Sequence, residues 1–349
     1  MIEILNAYRN PVFGILSLLF IVAFVFFIDF LKRKYNDKRK QEFINKLEEK
    51  FDNLNAQHNI DKFIKHATNA TQIIITIAQT YAKVGDYEQT IAICKILIEK
   101  STKQYEKLEI LELLGGTYNK AGLFEQAKNI FLEILHYYPH NIRILECYIV
   151  TCENLKHYTE ALTALGCLEE IVYYNQTHNY NMQKIEHTKN YLKVIQLCSD
   201  YKVALKEQEK QLLAIYEKDS TLHKMILRHF SMYNIDLFWQ KILEQNNIMP
   251  YVDILWNLKK HEVPFELIYT HKDLLAIYYA KGFINGYEKS DNFTLEVLQL
   301  LNMHSHIKAD ITFTYRCNAC NMQTPFYVYR CPVCTEVATI EQIITPSQL

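Results

Sequence analysis

The sequence predicts an all-α superhelix of stacked helix pairs, entered by one amino-terminal transmembrane helix and finished by a small four-cysteine β module. Three observations carry that prediction. Apolar and small residues recur at a period near 34 residues, an uncharged apolar run occupies Val12–Ile28, and two C-x-x-C pairs stand near the carboxy terminus. Composition agrees. At 349 residues and 49% apolar content the chain can bury several cores, which argues against disorder. Only 8 Gly and 7 Pro leave few tight turns, so helices joined by short connectors are favoured over a sheet-rich fold. Lys plus Arg (38) nearly balances Asp plus Glu (39), which excludes a global field that would hold nucleic acid. Nine cysteines, five of them scattered singly, do not make a disulfide framework, and a reducing compartment is expected.

The amino-terminal run VFGILSLLFIVAFVFFI carries no charge over seventeen residues, and Asp29 to Leu31 bring it to about the twenty positions a helix needs to span a bilayer. A soluble helix does not need to be apolar on every face. A cleaved signal would place its positive charge ahead of the run, whereas only Glu3 and Arg9 precede it. Directly after it, Lys32-Arg33-Lys34 and Lys38-Arg39-Lys40 set six bases against Asp37, and such a flank stays in the cytoplasm. The short amino terminus is therefore expected outside, with the bulk of the chain on the cytoplasmic side. Removing that cluster leaves the remainder mildly acidic, a poor surface for nucleic acid.

The period is clearest at Leu111, Leu114, Gly115, Tyr118, Ala127, Phe131 and Pro139, whose offsets reproduce the 34-residue tetratricopeptide pattern of paired helices. An upstream copy runs through Ile74, Ile77, Ala78, Tyr81, a Gly85-Asp86-Tyr87 turn, Thr90, Cys94 and Leu97; the turn recurs at Gly122-Leu123-Phe124. Downstream the signature fades through Leu145, Tyr148, Ile149, Cys152, Tyr158, Ala161, Leu165 and Leu168. It fades further through Tyr191, Leu192, Ile195, Tyr201 and Ala204, and then Leu222, Met225, Ile226, Ile242 and Pro250. From Tyr251 to about Lys308 degenerate repeats are expected. These positions are predicted to be core, and the single cysteines Cys94, Cys147, Cys152, Cys167 and Cys198 to be small buried hydrophobes. Stacked pairs present an extended concave surface on which a partner segment would lie. The thirteen histidines are dispersed, and no phosphate loop, H-E-x-x-H or nucleophile–base pair occurs, so no catalytic residue is assigned and a non-catalytic protein is expected.

Near the end, Cys317-Asn-Ala-Cys320 and Cys331-Pro-Val-Cys334 are separated by ten residues. Two such knuckles bring four thiolates around one point, the closed tetrahedral set of a structural metal ion. Zn²⁺ is expected and iron is the alternative, since rubredoxins hold iron with the same ligands. A pair of redox-active dithiols fits less well: one pair would suffice and no βαβ pattern surrounds either. Ile311–Tyr315 reads as a strand, with Tyr327–Tyr329 returning antiparallel and Val337–Ile340 as a third, a rubredoxin-like zinc ribbon. After the second cysteine of each knuckle stand Asn321 and Thr335; Thr335 tolerates a left-handed backbone poorly, so a different exit from that knuckle is expected. The predicted organisation is an anchor over 1–31, a basic linker over 32–50, helical repeats over 51–308 and the metal module over 309–349, closing the far end of the stack.

Anchor, repeats and ribbon in this order resemble the LapB (YciM) family of lipopolysaccharide assembly proteins. The likeness is carried by Tyr315-Arg-Cys317 through Cys331-Pro-Val-Cys334 to Ala338-Thr-Ile340 and by the repeat passage from about Ile77 to Leu135. It implies a single-pass protein of the bacterial inner membrane that presents the deacetylase LpxC to the membrane protease FtsH, with the ribbon packed against the repeats. The chain departs from the family pattern in its diverged repeats after Leu168 and in lacking the family's Arg-Gly tail after Glu341. A tethered scaffold for another envelope or assembly complex is the alternative, and self-association is left open.

Overall fold

The structure, a computed structural model, describes residues 70–101, 104–174, 182–200, 202–307 and 309–348. The expected anchor, the basic linker and the first expected repeat residues up to 69 lie outside the described residues. Among the described residues no helix is long and apolar enough to cross a membrane. The chain divides into two compact units, residues 1–121 and 122–349.

The described part of the first unit holds α1 (Ala70–Val84), α2 (Tyr87–Lys100) and α3 (Gln104–Lys120), each packed on the others. Gly85, at φ +91°, ends α1 and lets the Asp86 N–H reach back to the Tyr81 carbonyl at 3.0 Å; the Asp86 carboxylate then accepts from the Gln89 N–H and starts α2. This left-handed exit followed by a side-chain cap is what a short helix-to-helix turn requires. Thr90 is fully buried and donates its hydroxyl to the Ala78 carbonyl, tying the two helices. Ile74, Ala78, Cys94 and Leu97 are core as expected. Ile77 (44% exposed) and Tyr81 (40% exposed) are not: Ile75 takes the inward position, rotating the buried face of α1 away from the expected stripe.

The second unit begins with α4 (Phe124–Tyr137), α5 (Ile142–Asn154), α6 (Tyr158–Tyr174), α7 (Met182–Ser199) and α8 (Leu205–Tyr216), successive helices packing on one another. Leu145, Tyr148, Ile149, Cys152, Ala161, Leu165, Leu168, Tyr191 and Leu192 are all buried, as the period predicts. The α5–α6 turn reuses the device seen at Gly85: His157 N–H bonds the Cys152 carbonyl at 2.8 Å, with Lys156 at φ +62° in glycine's place. Beyond α7 the period slips. Ala204, expected in the core, is the exposed residue before α8, and Tyr201 lies outside the described residues. Cys167 is exposed, and Cys147 and Cys198 are only partly buried, so of the single cysteines only Cys94 and Cys152 are fully buried. Burial pushes the Cys94 and Cys198 thiols up to about 12.

After α9 (His223–Tyr233) and α10 (Ile235–Leu243) the expected degenerate repeats give way to short pieces: α11 (Val252–Asn257), α12 (Phe265–Ile268), α13 (Lys272–Ala280) and α14 (Phe293–His304). Prolines and 3₁₀ turns account for the brevity. Pro250 opens a 3₁₀ turn before α11, Pro264 precedes α12, and Gly282 and Gly286 take positive φ before α14. Buried Leu274, Ile277, Tyr278, Leu295 and Leu298 still form a core under these pieces.

The sheet has the order β2-β1-β3, with β1 (Ala309–Cys317) central, β2 (Gln323–Thr324) and β3 (Ile340–Gln348). β1 and β3 pair antiparallel over their whole lengths, from Ala309 opposite Gln348 to Cys317 opposite Ile340. The expected return strand Tyr327–Tyr329 is instead irregular, and the strand predicted at Val337–Ile340 starts only at Ile340 and continues through the tail. Pro346, opposite Ile311, is admissible because β3 is an edge strand.

Candidate metal centre and its docking face

The two knuckles are built alike. Cys317 N–H bonds the Met322 carbonyl at 2.9 Å and Cys331 N–H bonds the Glu336 carbonyl at 2.9 Å; Asn321 N–H and Thr335 N–H bond back to the carbonyls of Cys317 and Cys331. Asn321 (φ +59°) and Thr335 (φ +60°) both leave through the left-handed region. The separate exit expected for Thr335 is therefore not taken. Its hydroxyl bonds the Cys334 carbonyl at 2.7 Å, and the ladder of bonds across the knuckle holds the strained conformation.

The four sulfurs of Cys317, Cys320, Cys331 and Cys334 lie within 4.8 Å of one another, with Cys317–Cys334 and Cys320–Cys331 both at 3.6 Å. Four sulfurs at about 2.3 Å from a tetrahedral ion stand about 3.8 Å apart, so spacing and donor chemistry suit a thiolate-bound metal. Cys317 and Cys331 are buried; Cys320 and Cys334 face partly outward. Burial works against the Cys317 thiolate, but the Thr339 hydroxyl and the N–H groups of Cys320 and Ala319 outweigh it and bring its pKa down to about 6. Burial pushes Cys334 up to about 12. Beneath the knuckles Tyr315, Cys317, Cys331 and Ile340 form a buried cluster flanked by partly buried residues such as Phe313 and Val328, too small to stabilise three strands without another source of free energy.

That source includes the helices. Rather than closing the far end of a stack, the module lies against elements from α5 to α14. Arg330 Nε meets the Glu153 carboxylate of α5 at 2.7 Å, Tyr191 of α7 donates to the same carboxylate at 2.6 Å, and the guanidinium lies 5.1 Å from the Tyr191 ring centre. Lys184 pairs with Glu336 at 2.7 Å. Asp253 of α11, 1% exposed, takes Lys224 at 2.9 Å and Arg228 at 2.6 Å from α9, and accepts from the Tyr315 hydroxyl at 3.1 Å. Lys224 and Arg228 stand over the Tyr327 ring at 4.6 and 4.9 Å, and Tyr327 meets Tyr315 and Tyr329 edge to face. Trp256 donates to Asp310 at 2.9 Å and Thr294 to the Ile344 carbonyl at 3.3 Å. Burial raises the hydroxyls of Tyr315 and Tyr329 to about 12, with the Asp253 carboxylate adding to it, so both stay neutral and Tyr315 keeps its proton for Asp253.

The four cysteines are legible in the sequence, and this face is not. Tyr191 was read only as core, and Glu153, Lys224, Arg228 and Asp253 were not singled out. One signal was present: Asp253 is a lone acid inside Tyr251-Val-Asp-Ile-Leu-Trp256, and a carboxylate buried in such a run needs cationic partners.

No family model and no curated protein matches the chain. Solved structures do. YrrB, described as a TPR protein with an unusual peptide-binding site, is 15% identical over 64% of this chain and 97% of its own, with a TM-score of 0.33. A tetratricopeptide repeat protein from Parabacteroides merdae is 15% identical over 76% of this chain and 98% of its own, with a TM-score of 0.36. At that identity neither speaks to what this chain binds.

Proposed function

We propose that the chain is a non-catalytic, membrane-tethered adaptor in which Cys317, Cys320, Cys331 and Cys334 hold one structural metal ion, Zn²⁺ in the first instance and iron as the alternative, and the helix pairs carry protein partners. The observation that carries the structural part is the four-thiol cluster on a sheet locked to the helices through Glu153–Arg330 and Asp253. All four donors being thiolates leaves no open position for chemistry on the metal. The tether rests on the apolar run Val12–Ile28 and the bases that follow it, which favour a single span with the bulk of the chain on the cytoplasmic side, and the inner membrane is what the family resemblance implies.

The partners we propose, LpxC as client and FtsH as protease, rest on the family resemblance of the ribbon and of the passage Ile77–Leu135. Depleting the protein is expected to raise LpxC and lipopolysaccharide together, measured as LpxC half-life after translation is stopped. An unchanged half-life rejects the proteolytic role; crosslinking from the Val12–Ile28 segment that captures other envelope proteins and no FtsH would favour a scaffold of a different complex.

A further inference from the structure

The segment Tyr327-Val328-Tyr329-Arg330 does not behave as part of the sheet. It was expected as a strand, yet within it only Arg330 joins a bridge, an isolated one to Val337; Val328 and Tyr327 pack on the ribbon's own core, while the Tyr327 ring and the Arg330 guanidinium also reach helices. The Tyr327 ring sits under the cationic ends of Lys224 and Arg228, and Arg330 ends on Glu153 and against Tyr191. Those helix residues come from α5, α7 and α9, each the first helix of its pair. An irregular segment with alternating aromatic side chains and a terminal cation, set against successive helices of a repeat, is the way a bound peptide lies on such a scaffold.

The helix residues are also arranged for recognition as much as for stability. Glu153 is 11% exposed and would be left with a buried charge and Tyr191 alone if Arg330 departed. Lys224 and Arg228 share the single carboxylate of Asp253, which leaves one cation in excess, and the Tyr327 ring face supplies what the second carboxylate would. The face therefore has a defined demand: an aromatic ring at one end and a guanidinium at the other, three residues apart.

We propose that this face is a peptide-recognition groove closed in cis by Tyr327–Arg330, and that its partner in trans is a protein segment of the same chemistry, an aromatic residue followed three positions later by arginine, which competes with the ribbon for Glu153, Lys224 and Arg228. This rests on the reading of the chain as a protein-binding scaffold but is separable from it: LpxC turnover tests that reading, and a peptide titration tests this one. Because a covered site binds in proportion to the fraction of time it is open, the intact chain binds such a segment weakly and a chain with the cis segment disabled binds it tightly.

The test uses the full chain and a fluorescent peptide of residues 324–332 carrying serine in place of Cys331, followed by anisotropy. The Tyr327→Ala/Arg330→Ala double variant keeps all four cysteines; bound metal and far-ultraviolet circular dichroism report whether it folds, and Arg330→Ala alone serves if it does not. The peptide is expected to bind the variant at least tenfold more tightly than the intact chain. Adding Glu153→Gln to the variant is expected to undo that gain, and a peptide with glutamate in place of Arg330 is expected not to bind. Equal binding to intact and variant chains, no binding to a folded variant, or equal binding of both peptides would overturn the proposal.

Discussion

Single residues show where this chain stores strain and charge. Lys156 takes the left-handed position that Gly85 fills in an earlier turn, at a cost of roughly 1 kcal/mol for a side chain with a Cβ. Lys156→Gly is expected to stabilise the chain by roughly 0.5–1 kcal/mol, read as a higher urea midpoint. Asp253 carries the opposite risk: it is 1% exposed and pairs with two cations at once, so Asp253→Ala is expected to cost about 3–5 kcal/mol, well beyond the loss of a surface pair. Lys281 is pushed down from 10.5 to about 8 by burial and donates to the carbonyls of Trp256 and Leu258, the latter at 2.6 Å. Between about pH 8 and 10.5 the unfolded chain holds a proton there that the folded chain lacks. This group's contribution to stability therefore rises with pH across that window, and Lys281→Met is expected to flatten the rise. Lys156 and Lys281 leave no local sign in the sequence, since each depends on backbone geometry or on partners distant in sequence, and Asp253 leaves only its place as a lone acid in an apolar run.

At the scale of elements, the helices were legible while glycine, small residues and apolar positions kept the period, and ceased to be so where Pro250, Pro264 and paired 3₁₀ turns cut the helices short. The knuckles were legible because C-x-x-C geometry is local. The long strand Ile340–Gln348 was not, because its partner is β1 across the whole ribbon and its Pro346 argues against a strand unless the edge position is known. The ribbon is expected to depend on a bound ion. Cys317→Ser should lose the bound metal and the β1–β3 pairing, on the order of 10 kcal/mol in comparable small sites, while α1 to α3 keep their far-ultraviolet signal. Acid should strip the ion from the unmodified chain, because protons compete for the thiolates; metal content measured against pH gives the midpoint.

For the molecule as a whole, the ribbon reads as a keyed insert on α5, α7, α9, α11 and α14. Arg330 and Glu153, 177 residues apart, are the clearest instance of why that arrangement escapes a linear reading: nothing near either residue in the sequence points to the other. The same contacts give the adaptor proposal its physical content, because a partner that reaches Glu153 or Asp253 must meet the ribbon first. If a metal ion holds the ribbon in place on those helices, hydrogen exchange before and after chelation shows it most directly. Removing the ion is predicted to raise exchange in Ala309–Cys317 and Ile340–Gln348 and, with them, around Glu153, Tyr191 and Asp253. A chain that binds no metal, or one whose exchange in these stretches is the same with and without it, would contradict the account.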